Sequence, residues 1–404
     1  MMLEASRTAI WKSWLGAAVV YFVVFGLLKP SLFRPETVFG ARNNNQIAEA
    51  QAWWNGQLDL PVRTWDTAPV GTRYYSHFPP LFTFISVMAV PVFDGVPHWL
   101  ILAIVVLPIP ALAFSLFQRV IGRTGPASLL AIGLICGTSL WPVIDRTIRG
   151  ASQYQVNHAL ATIGVLILLT EVFGKRRIWI AGAGLVMATM ARQLTIAYAI
   201  PLLFIARSSE AADSPRSRNL ALVVTGVLVL GVPAVLNSLK FGGPFQTGYM
   251  RIYEGRTDAL AEAAHTHGLF SPHFVPANLY HMNLGLPRIH PIEIAGEAEY
   301  HLRPNTICTG IWWTTPLLIW LFWDLRRILS DPARRGVLMA CAMVFVCLLF
   351  FHGAGQDQRG FNRFSLDFLP GLMVLVAPCC FEGRRKWISG GMVAWSLLYF
   401  RWLI

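Results

Sequence analysis

Long apolar runs, separated by short polar stretches, repeat from one end of the chain to the other. An α-helix needs roughly 20 residues to cross a hydrocarbon core of about 30 Å, and these runs approach that length. We place apolar segments at 14–32, 78–93, 97–118, 126–143, 155–173, 178–190, 193–207, 219–238, 307–323, 337–352, 364–380 and 386–403. The pattern therefore predicts an all-α polytopic membrane protein with a single transmembrane domain over residues 1–404.

Basic residues in the short loops indicate how these segments are oriented, because Lys and Arg accumulate on the cytoplasmic side. If every segment crossed and the N-terminus lay inside, basic loops such as Lys175–Arg177 would face outward. If 78–93 instead dips in and returns, or lies along the interface, these loops become cytoplasmic. That segment is short, begins with Pro79 and Pro80, and is interrupted by Pro91. We therefore expect about eleven transmembrane helices and one re-entrant or interfacial helix.

Two long polar stretches, at 33–77 and 240–305, lie on the extracytoplasmic side of this predicted topology. A long loop costs chain entropy to order, and a ligand or chemistry is the usual reason to keep one. The first loop contains an amphipathic helical pattern, which fits either an interfacial helix or a packing helix without a ligand role. The second contains six histidines, but a His-x-His pair is weak evidence for zinc, and we assign no metal ligand there.

Composition supports a membrane protein and argues against a nucleic-acid partner. Charged residues make up 13% of the 404 residues and hydrophobic residues 55%, whereas soluble domains carry about 25% charged residues. The net charge of +12 comes from short loops between apolar runs rather than from a basic stripe with surface aromatics. Membrane lipids are therefore the expected surroundings of this chain, and no nucleic acid is expected as a partner.

Acidic and aromatic residues of the first loop are candidates for chemistry. Asp66 could take a proton from an acceptor hydroxyl at the mouth of an outward cavity, or it could simply cap a turn in solvent. Glu49 is a weaker candidate for the same role. Tyr75 and His77 precede a Phe-Pro-Pro helix start, where a helix N-terminus favours anions. They fit either a substrate contact or an interfacial aromatic belt.

Arginines at the ends of apolar segments form a second group of candidates. Ionisable residues at membrane depth are costly and are functional hypotheses by default. Several guanidinium groups that converge on an outer cavity would suit a phosphate or pyrophosphate. The alternative is internal pairing, of Arg149 with Asp145 or of Arg363 with Asp367. The arginines that we assign to substrate binding are Arg149, Arg192, Arg359 and Arg363.

The chain resembles the GT-C fold glycosyltransferases, and among them the bacterial members related to protein O-mannosyltransferases and lipid A aminoarabinose transferases. The similar stretches are AWWNGQLDLP with RYYSHFPP, GGPFQTGY with HGLFSPHFVPANLY, CTGIWWTTP, and RGFNRFSLDFLP. The resemblance implies a polyprenyl-phosphate-linked sugar donor and a glycan, lipid or protein acceptor. It also implies inversion at the sugar carbon, and a multi-pass protein of the bacterial cytoplasmic membrane whose active face is extracytoplasmic.

Residue by residue, the resemblance makes Asp66 the base candidate and places His77 at the donor-side helix start. It makes Arg192 and Arg363 phosphate contacts. One departure concerns 43–45, which read Asn-Asn-Asn where many GT-C enzymes carry the catalytic acid. Asparagine cannot act as a base, so Asp66 or Glu49 has taken the role, or the protein binds without catalysing.

Other interpretations of the sequence remain open. A transporter or flippase of lipid-linked or anionic solutes is one alternative, although transporters often show internal repeats and this chain shows none. A non-catalytic GT-C-like membrane protein is another. No cofactor is assigned, and the resemblance leaves the need for a divalent metal open.

Overall fold

The computed structural model describes residues 2–28, 37–42, 44–64, 66–208, 212–294, 297–303, 307–355 and 360–403. Most of these residues are helical. The helices are α1 (Met2–Leu27), α2 (Asn45–Trp54), α3 (Leu81–Phe93), α4 (His98–Ile101), α5 (Pro108–Ile121), α6 (Thr124–Cys136), α7 (Leu140–Gly150), α8 (Gln153–Val172), α9 (Ile178–Ala191), α10 (Ala199–Arg207), α11 (Pro215–Gly226), α12 (Val232–Phe241), α13 (Ala259–His267), α14 (Val275–Leu279), α15 (Ile311–Thr314), α16 (Trp320–Trp323), α17 (Leu325–Ser330), α18 (Pro332–Phe350), α19 (Leu369–Cys380) and α20 (Arg385–Leu403).

Three two-stranded antiparallel sheets lie in the connections between the helices. They pair β1 (Val38–Phe39) with β4 (Val96–Pro97), β2 (Thr67–Val70) with β3 (Arg73–Ser76), and β5 (Arg288–Ile294) with β6 (Glu297–Arg303). The β2–β3 hairpin pairs Thr67 with Ser76 at its open end and turns at Gly71 and Thr72. The residues on either side of this hairpin, Asp66 and His77, are therefore neighbours in space.

By length and composition, four helices of the described residues could cross a membrane, as expected of a membrane protein. They cover His98–Ile121, Gln153–Val172, Pro215–Phe241 and Pro332–Phe350, and α6 with α7 forms a further candidate span bent by 57°. Two of the four contain a π-helical turn just before a proline, at Pro108 and Pro233. Proline lacks an N–H and clashes with the preceding turn, so the helix widens there instead of ending.

Each apolar segment that the sequence predicts overlaps helical structure. The segment 307–323 is divided into α15, a 3-10 turn at Pro316–Ile319 and α16, because Pro316 removes a backbone donor inside the run. The segment 78–93 becomes α3, whose 13 residues span about 20 Å and fall short of a hydrocarbon core. Its position relative to a membrane, and the total of eleven crossings, stay predictions.

Helix α8 is the buried centre of the bundle, since 94% of its most apolar 18-residue stretch is buried inside the protein. It packs against α5, α7 and α9. The crossing with α9 is made by two glycines: a Cβ added at Gly164 would lie 2.5 Å from the carbonyl oxygen of Gly184. Small residues let two helix backbones approach in this way. The N-terminal end of α8 carries Gln153 and Tyr154.

The two long loops pack against each other. In one apolar cluster Ala68 and Tyr75 of the hairpin meet Phe241 and Ile252 of the second loop region. Arg63 donates a hydrogen bond to the carbonyl oxygen of Glu254 at 2.7 Å. This contact joins the regions that the predicted topology puts on one face, although the side of the membrane on which they lie stays a prediction.

Candidate active site

Asp66 lies directly before β2, and its side chain is only 7% exposed. Its Oδ2 atom accepts hydrogen bonds from Gln153 Nε2 at 3.1 Å and from the hydroxyl of Tyr154. Burial raises the pKa of Asp66, and the Tyr154 hydrogen bond and the charges of Arg256 and Arg363 oppose that rise. The result is a buried carboxyl group that is held from one side by α8.

His77 faces Asp66 across the end of the hairpin. Its Nδ1 lies 3.0 Å from the backbone oxygen of Asp66, and because a carbonyl only accepts, Nδ1 carries the proton. Burial lowers the pKa of His77 to about 3, so the ring is neutral at physiological pH. The ring packs against Phe78 and Tyr249 at centroid distances of 4.3 and 4.6 Å. His77 thus fixes the backbone that carries Asp66, and its predicted substrate contact is untested.

Arg363 lies on the other side of Tyr154. Its guanidinium carbon is 4.6 Å from the centroid of the Tyr154 ring and 5.2 Å from that of Phe364. The Nε atom of Arg363 is buried and has no hydrogen-bond partner among the residues that the structure describes. Leaving a buried cationic donor unpaired is costly, and an anionic ligand would relieve that cost.

Arg192 is paired, in contrast to Arg363. It lies at the break between α9 and the 3-10 turn Gln193–Tyr198, and its Nε and Nη2 atoms donate to the carboxylate of Asp367 at 3.2 and 2.8 Å. His158 Nδ1 lies 3.4 Å from the same carboxylate. Asp367 therefore pairs with Arg192. The pairing of Asp367 with Arg363, which the sequence offered as an alternative, is not formed between these two described residues. Phe364 lies between the two arginines, with Arg192 at 5.1 Å from its ring.

The second loop adds Tyr249, which the sequence did not single out as a site residue. It ends the GGPFQTGY stretch, directly after Gly248, whose φ of +73° and contact with the Phe241 ring require glycine. Burial raises the pKa of Tyr249, and the charges of Arg192, Asp367, Arg363 and Asp66 all act on its hydroxyl. The motif in which it lies was the signal that could have identified it.

Two other residues of the second loop approach Asp66 as well. The guanidinium carbon of Arg256 lies 5.0 Å from the Tyr253 ring centroid, and Arg256 Nε donates to Asp258 at 2.8 Å. The hydroxyl of Tyr253 hydrogen-bonds His352 Nε2. Arg256, Tyr253 and His352 therefore form one chain of contacts on the second-loop side of the site.

Two of the asparagines at 43–45 build the frame of this site. Asn44 caps α2 by accepting from Gln46 N, and its Nδ2 donates to the carbonyl oxygen of Ala151 at 2.7 Å. Asn45 donates its backbone N–H to Gln153 Oε1 at 2.8 Å, so the amide that holds Asp66 is itself held. The remaining asparagine, at 43, lies outside the described residues. These side chains position α2 and Gln153.

Glu49 lies apart from these contacts. It is fully buried within α2, forms an ion pair with Lys240 of α12, and accepts a hydrogen bond from Thr83 at 2.7 Å. Lys240 also donates to the carbonyl oxygen of Ser76 at 3.2 Å. Both partners of Glu49 satisfy its charge, so its geometry is that of a clamp between the first loop and α12. Its candidacy as a base is untested.

The remaining candidates have varied surroundings. Arg149 donates to Asp145 at 3.0 Å, which is the internal pairing that the sequence offered as an alternative. Tyr75 is buried against Phe241, with ring centroids 6.0 Å apart. Arg359 lies outside the described residues. None of these observations tests the predicted substrate contacts.

No cluster of metal ligands lies among the described residues of this site. Across the described ranges, no group of three His, Cys, Asp or Glu side chains is arranged to hold a metal ion. Three second-loop histidines have other contacts: the rings of His267 and His273 stack at 3.8 Å, and His265 Nε2 contacts the carbonyl oxygen of Tyr253 at 3.1 Å.

No protein-family model matches the sequence, and no curated protein matches it. Among solved structures, the chain is similar to the crystal structure of the Archaeoglobus fulgidus oligosaccharyltransferase in the apo form, at a TM-score of 0.47 and 14% sequence identity. The similarity covers 96% of this chain and 54% of that one. The chain thus spans about half the length of the structure it matches, and these comparisons assign it to no family.

Proposed function

We propose that this protein is a membrane glycosyltransferase that transfers a sugar from a polyprenyl-phosphate-linked donor to a hydroxyl of a glycan, lipid or protein acceptor. The observation that carries the proposal is the placement of Asp66 and Arg363. A buried carboxylate, and a half-buried guanidinium whose buried Nε has no hydrogen-bond partner among the described residues, lie on two sides of one tyrosine, Tyr154. Glycosyl transfer from a lipid phosphate needs a base for the acceptor and a cation for the leaving group.

Asp66 is suited to act as the base. Both of its hydrogen bonds to described side chains end on Oδ2, and Oδ1 has none. Burial raises its pKa, and a carboxylate with a raised pKa binds a proton more readily. In the proposed step the acceptor hydroxyl gives its proton to Oδ1 while its oxygen forms the bond to the sugar carbon.

Arg363 is suited to hold the leaving phosphate. As the bond between the sugar carbon and the phosphate oxygen breaks, its electron pair goes to the phosphate, and a fixed guanidinium stabilises that charge. Arg192 is already neutralised by Asp367, so Arg363 has the larger uncompensated charge to offer. A single displacement of this kind inverts the sugar carbon.

The test is transfer of labelled sugar from a panel of polyprenyl-phosphate donors by the purified protein in proteoliposomes with membrane acceptors. For Arg363→Gln we expect the KM for the donor to rise roughly 10- to 100-fold, because a charge-assisted hydrogen bond to phosphate is lost. Arg363→Lys keeps the charge without the forked geometry and should give a smaller rise.

The matched control is Arg326→Gln, an exposed arginine of α17 that lies outside the site. It should leave the donor KM unchanged. Equal donor KM values for Arg363→Gln and wild type would contradict the phosphate assignment. The absence of transfer from every donor by the wild-type protein would contradict the glycosyltransferase proposal and favour a transporter or a non-catalytic protein.

A further inference from the structure

Tyr154 contacts both charged groups that the proposed function uses. It is the second residue of α8, and its hydroxyl donates a hydrogen bond to Asp66 Oδ2. The face of its ring lies 4.6 Å from the guanidinium carbon of Arg363. Phe78 packs edge-on against the same ring at 5.5 Å. One side chain therefore connects the acidic side of the site with its cationic side.

We propose that Tyr154 is the positioning residue of this site: its hydroxyl orients the carboxylate of Asp66 and its ring orients the guanidinium of Arg363. The proposal rests on the proposed function and specifies it further, since it sets the distance between the proton acceptor and the phosphate contact. Tyr154 itself transfers no proton.

The role of the Tyr154 hydroxyl follows from the carboxylate oxygen of Asp66 to which it donates. Tyr154 and Gln153 both donate to Oδ2, and Gln153 is held in turn by the backbone N–H of Asn45. With Oδ2 fixed at two points, the carboxylate cannot rotate freely, and Oδ1 keeps one direction. A general base must be held within hydrogen-bond reach of the proton it takes, and this arrangement holds it.

The role of the Tyr154 ring follows from the surroundings of the Arg363 guanidinium. A guanidinium over an aromatic face is attracted by the ring quadrupole, and the attraction strengthens where water is excluded. The ring centroids of Tyr154 and Phe364 lie 4.6 and 5.2 Å from the guanidinium carbon of Arg363, within the distance of about 6 Å over which this attraction acts. The Tyr154 ring, half-buried and packed edge-on against Phe78, is therefore placed to support the cation.

The charged and titratable groups around Asp66 must be included in any pH measurement. These groups come from α8, the second loop, the segment before α19 and the hairpin itself, and they are Tyr154, Arg256, Tyr253, Tyr249, Arg363 and His77. Burial lowers the pKa of His77 and raises the pKa of Tyr249 and Tyr253, whereas the raised pKa of Asp66 is the one that the measurement follows.

The test compares Tyr154→Phe with Tyr154→Leu in the full-length protein. Tyr154→Phe removes only the hydroxyl, so the pH midpoint of the Asp66 carboxyl should rise by roughly 0.5–1 pH unit, as expected for the loss of one hydrogen bond to the carboxylate. Infrared difference spectra against the same protein carrying Asp66→Asn measure that midpoint without any catalysis. The acid limb of kcat/KM should rise with it, while the donor KM stays within twofold.

Tyr154→Leu removes the ring as well, and a lipid phosphate probe should detect the difference. Farnesyl phosphate should raise the thermal unfolding temperature of wild type and Tyr154→Phe equally and stabilise Tyr154→Leu much less. Tyr74→Phe, at a first-loop tyrosine outside the site, is the control and should match wild type in both measurements.

Two results would overturn the proposal: an unchanged carboxyl midpoint in Tyr154→Phe, or an equal loss of farnesyl phosphate stabilisation in Tyr154→Phe and Tyr154→Leu. If Tyr154→Leu does not fold, the infrared midpoint of Tyr154→Phe still decides. If the wild-type protein transfers no sugar but both shifts occur, the positioning role of Tyr154 holds and the glycosyltransferase proposal fails.

Discussion

The protonation of Asp66 depends on two opposing influences at the scale of a single residue. Burial of the carboxyl group disfavours the charged form and raises the pKa, while hydrogen bonds from α8 and nearby arginines favour the charged form. Burial is the larger influence. The same side chain in an exposed loop would be a weaker base, so its position between α8 and the second loop gives Asp66 its proposed chemistry.

A pH profile follows from this shift. The base must be ionised, so kcat/KM for sugar transfer should be constant well above the raised pKa of Asp66 and fall tenfold per pH unit below it. The midpoint should lie above the value of about 3.9 that is typical of an exposed Asp. Initial rates between about pH 3 and pH 8 measure it, with folding checked at the acid end. A midpoint at or below 3.9 would contradict a buried Asp66 as the base.

The raised pKa of Asp66 has the opposite consequence for folding: it does not stabilise the folded protein at neutral pH. A carboxyl group whose folded pKa is raised stabilises the folded state below its unfolded pKa, and this stabilisation is lost as the pH rises through the folded pKa. The ionised Asp66 is therefore no source of stability at neutral pH. Asp66→Asn should fold at least as well as wild type there, which makes it a clean probe of function.

Some residues of the candidate site could be identified from the sequence, and others could not. Asp66, His77, Arg192 and Arg363 stand out in the sequence because they interrupt apolar or aromatic surroundings, and the structure brings them into one region. Tyr249 did not stand out, because tyrosine is common near membrane interfaces and its role depends on contacts made far along the chain. A charged residue in an apolar stretch is conspicuous in a sequence because burying it is costly. A tyrosine whose role depends on contacts with distant residues is not.

At the scale of elements, a buried ion pair fastens the first loop to the bundle. Glu49 of α2 and Lys240 of α12 are both buried, and Lys240 also contacts the end of β3 through Ser76. The partners are far apart in sequence, and no periodicity predicts their meeting. Removing one charge leaves the other buried and unpaired, which is more costly than removing both.

Glu49→Gln should therefore lower the free energy of unfolding by about 3–5 kcal/mol, as is typical of a broken buried pair. The double variant with Lys240→Met should recover most of that loss. Arg327→Gln is the control, because Arg327 and Glu382 form a half-exposed pair worth at most about 1 kcal/mol. Unfolding in detergent with increasing denaturant measures all three. If Glu49→Gln keeps wild-type stability but loses sugar transfer, Glu49 is a catalytic candidate again.

The helices themselves could be predicted well from apolar runs, because burial in a bundle requires such runs whatever the partners are. The details that position the site could not. The break of α9 at Arg192, the π turns before prolines and the β2–β3 hairpin depend on tertiary contacts and on turn geometry. The break of α9 carries Arg192, and the hairpin brings Asp66 and His77 together.

At the scale of the whole molecule, the packing of two loops separated by more than 150 residues creates the site. Arg63 and Tyr75 of the first loop contact the second loop, and the N-terminal end of α8 lies beneath both through Gln153 and Tyr154. Charge patterns in the short loops predict that this end faces outward. Orientation is a property of the chain in a membrane, and it follows from the sequence rather than from contacts within the fold.

The most direct measurement of the central claim is sugar transfer by wild type, Asp66→Asn and Asp59→Asn, each purified and checked for folding. Asp59 lies in the same loop, outside the contacts of the site, and is the matched control. We predict that Asp66→Asn loses transfer by about 10²- to 10⁴-fold, as expected for removal of a general base, while Asp59→Asn stays within twofold of wild type. Equal transfer by wild type and Asp66→Asn would contradict Asp66 as the base of this site.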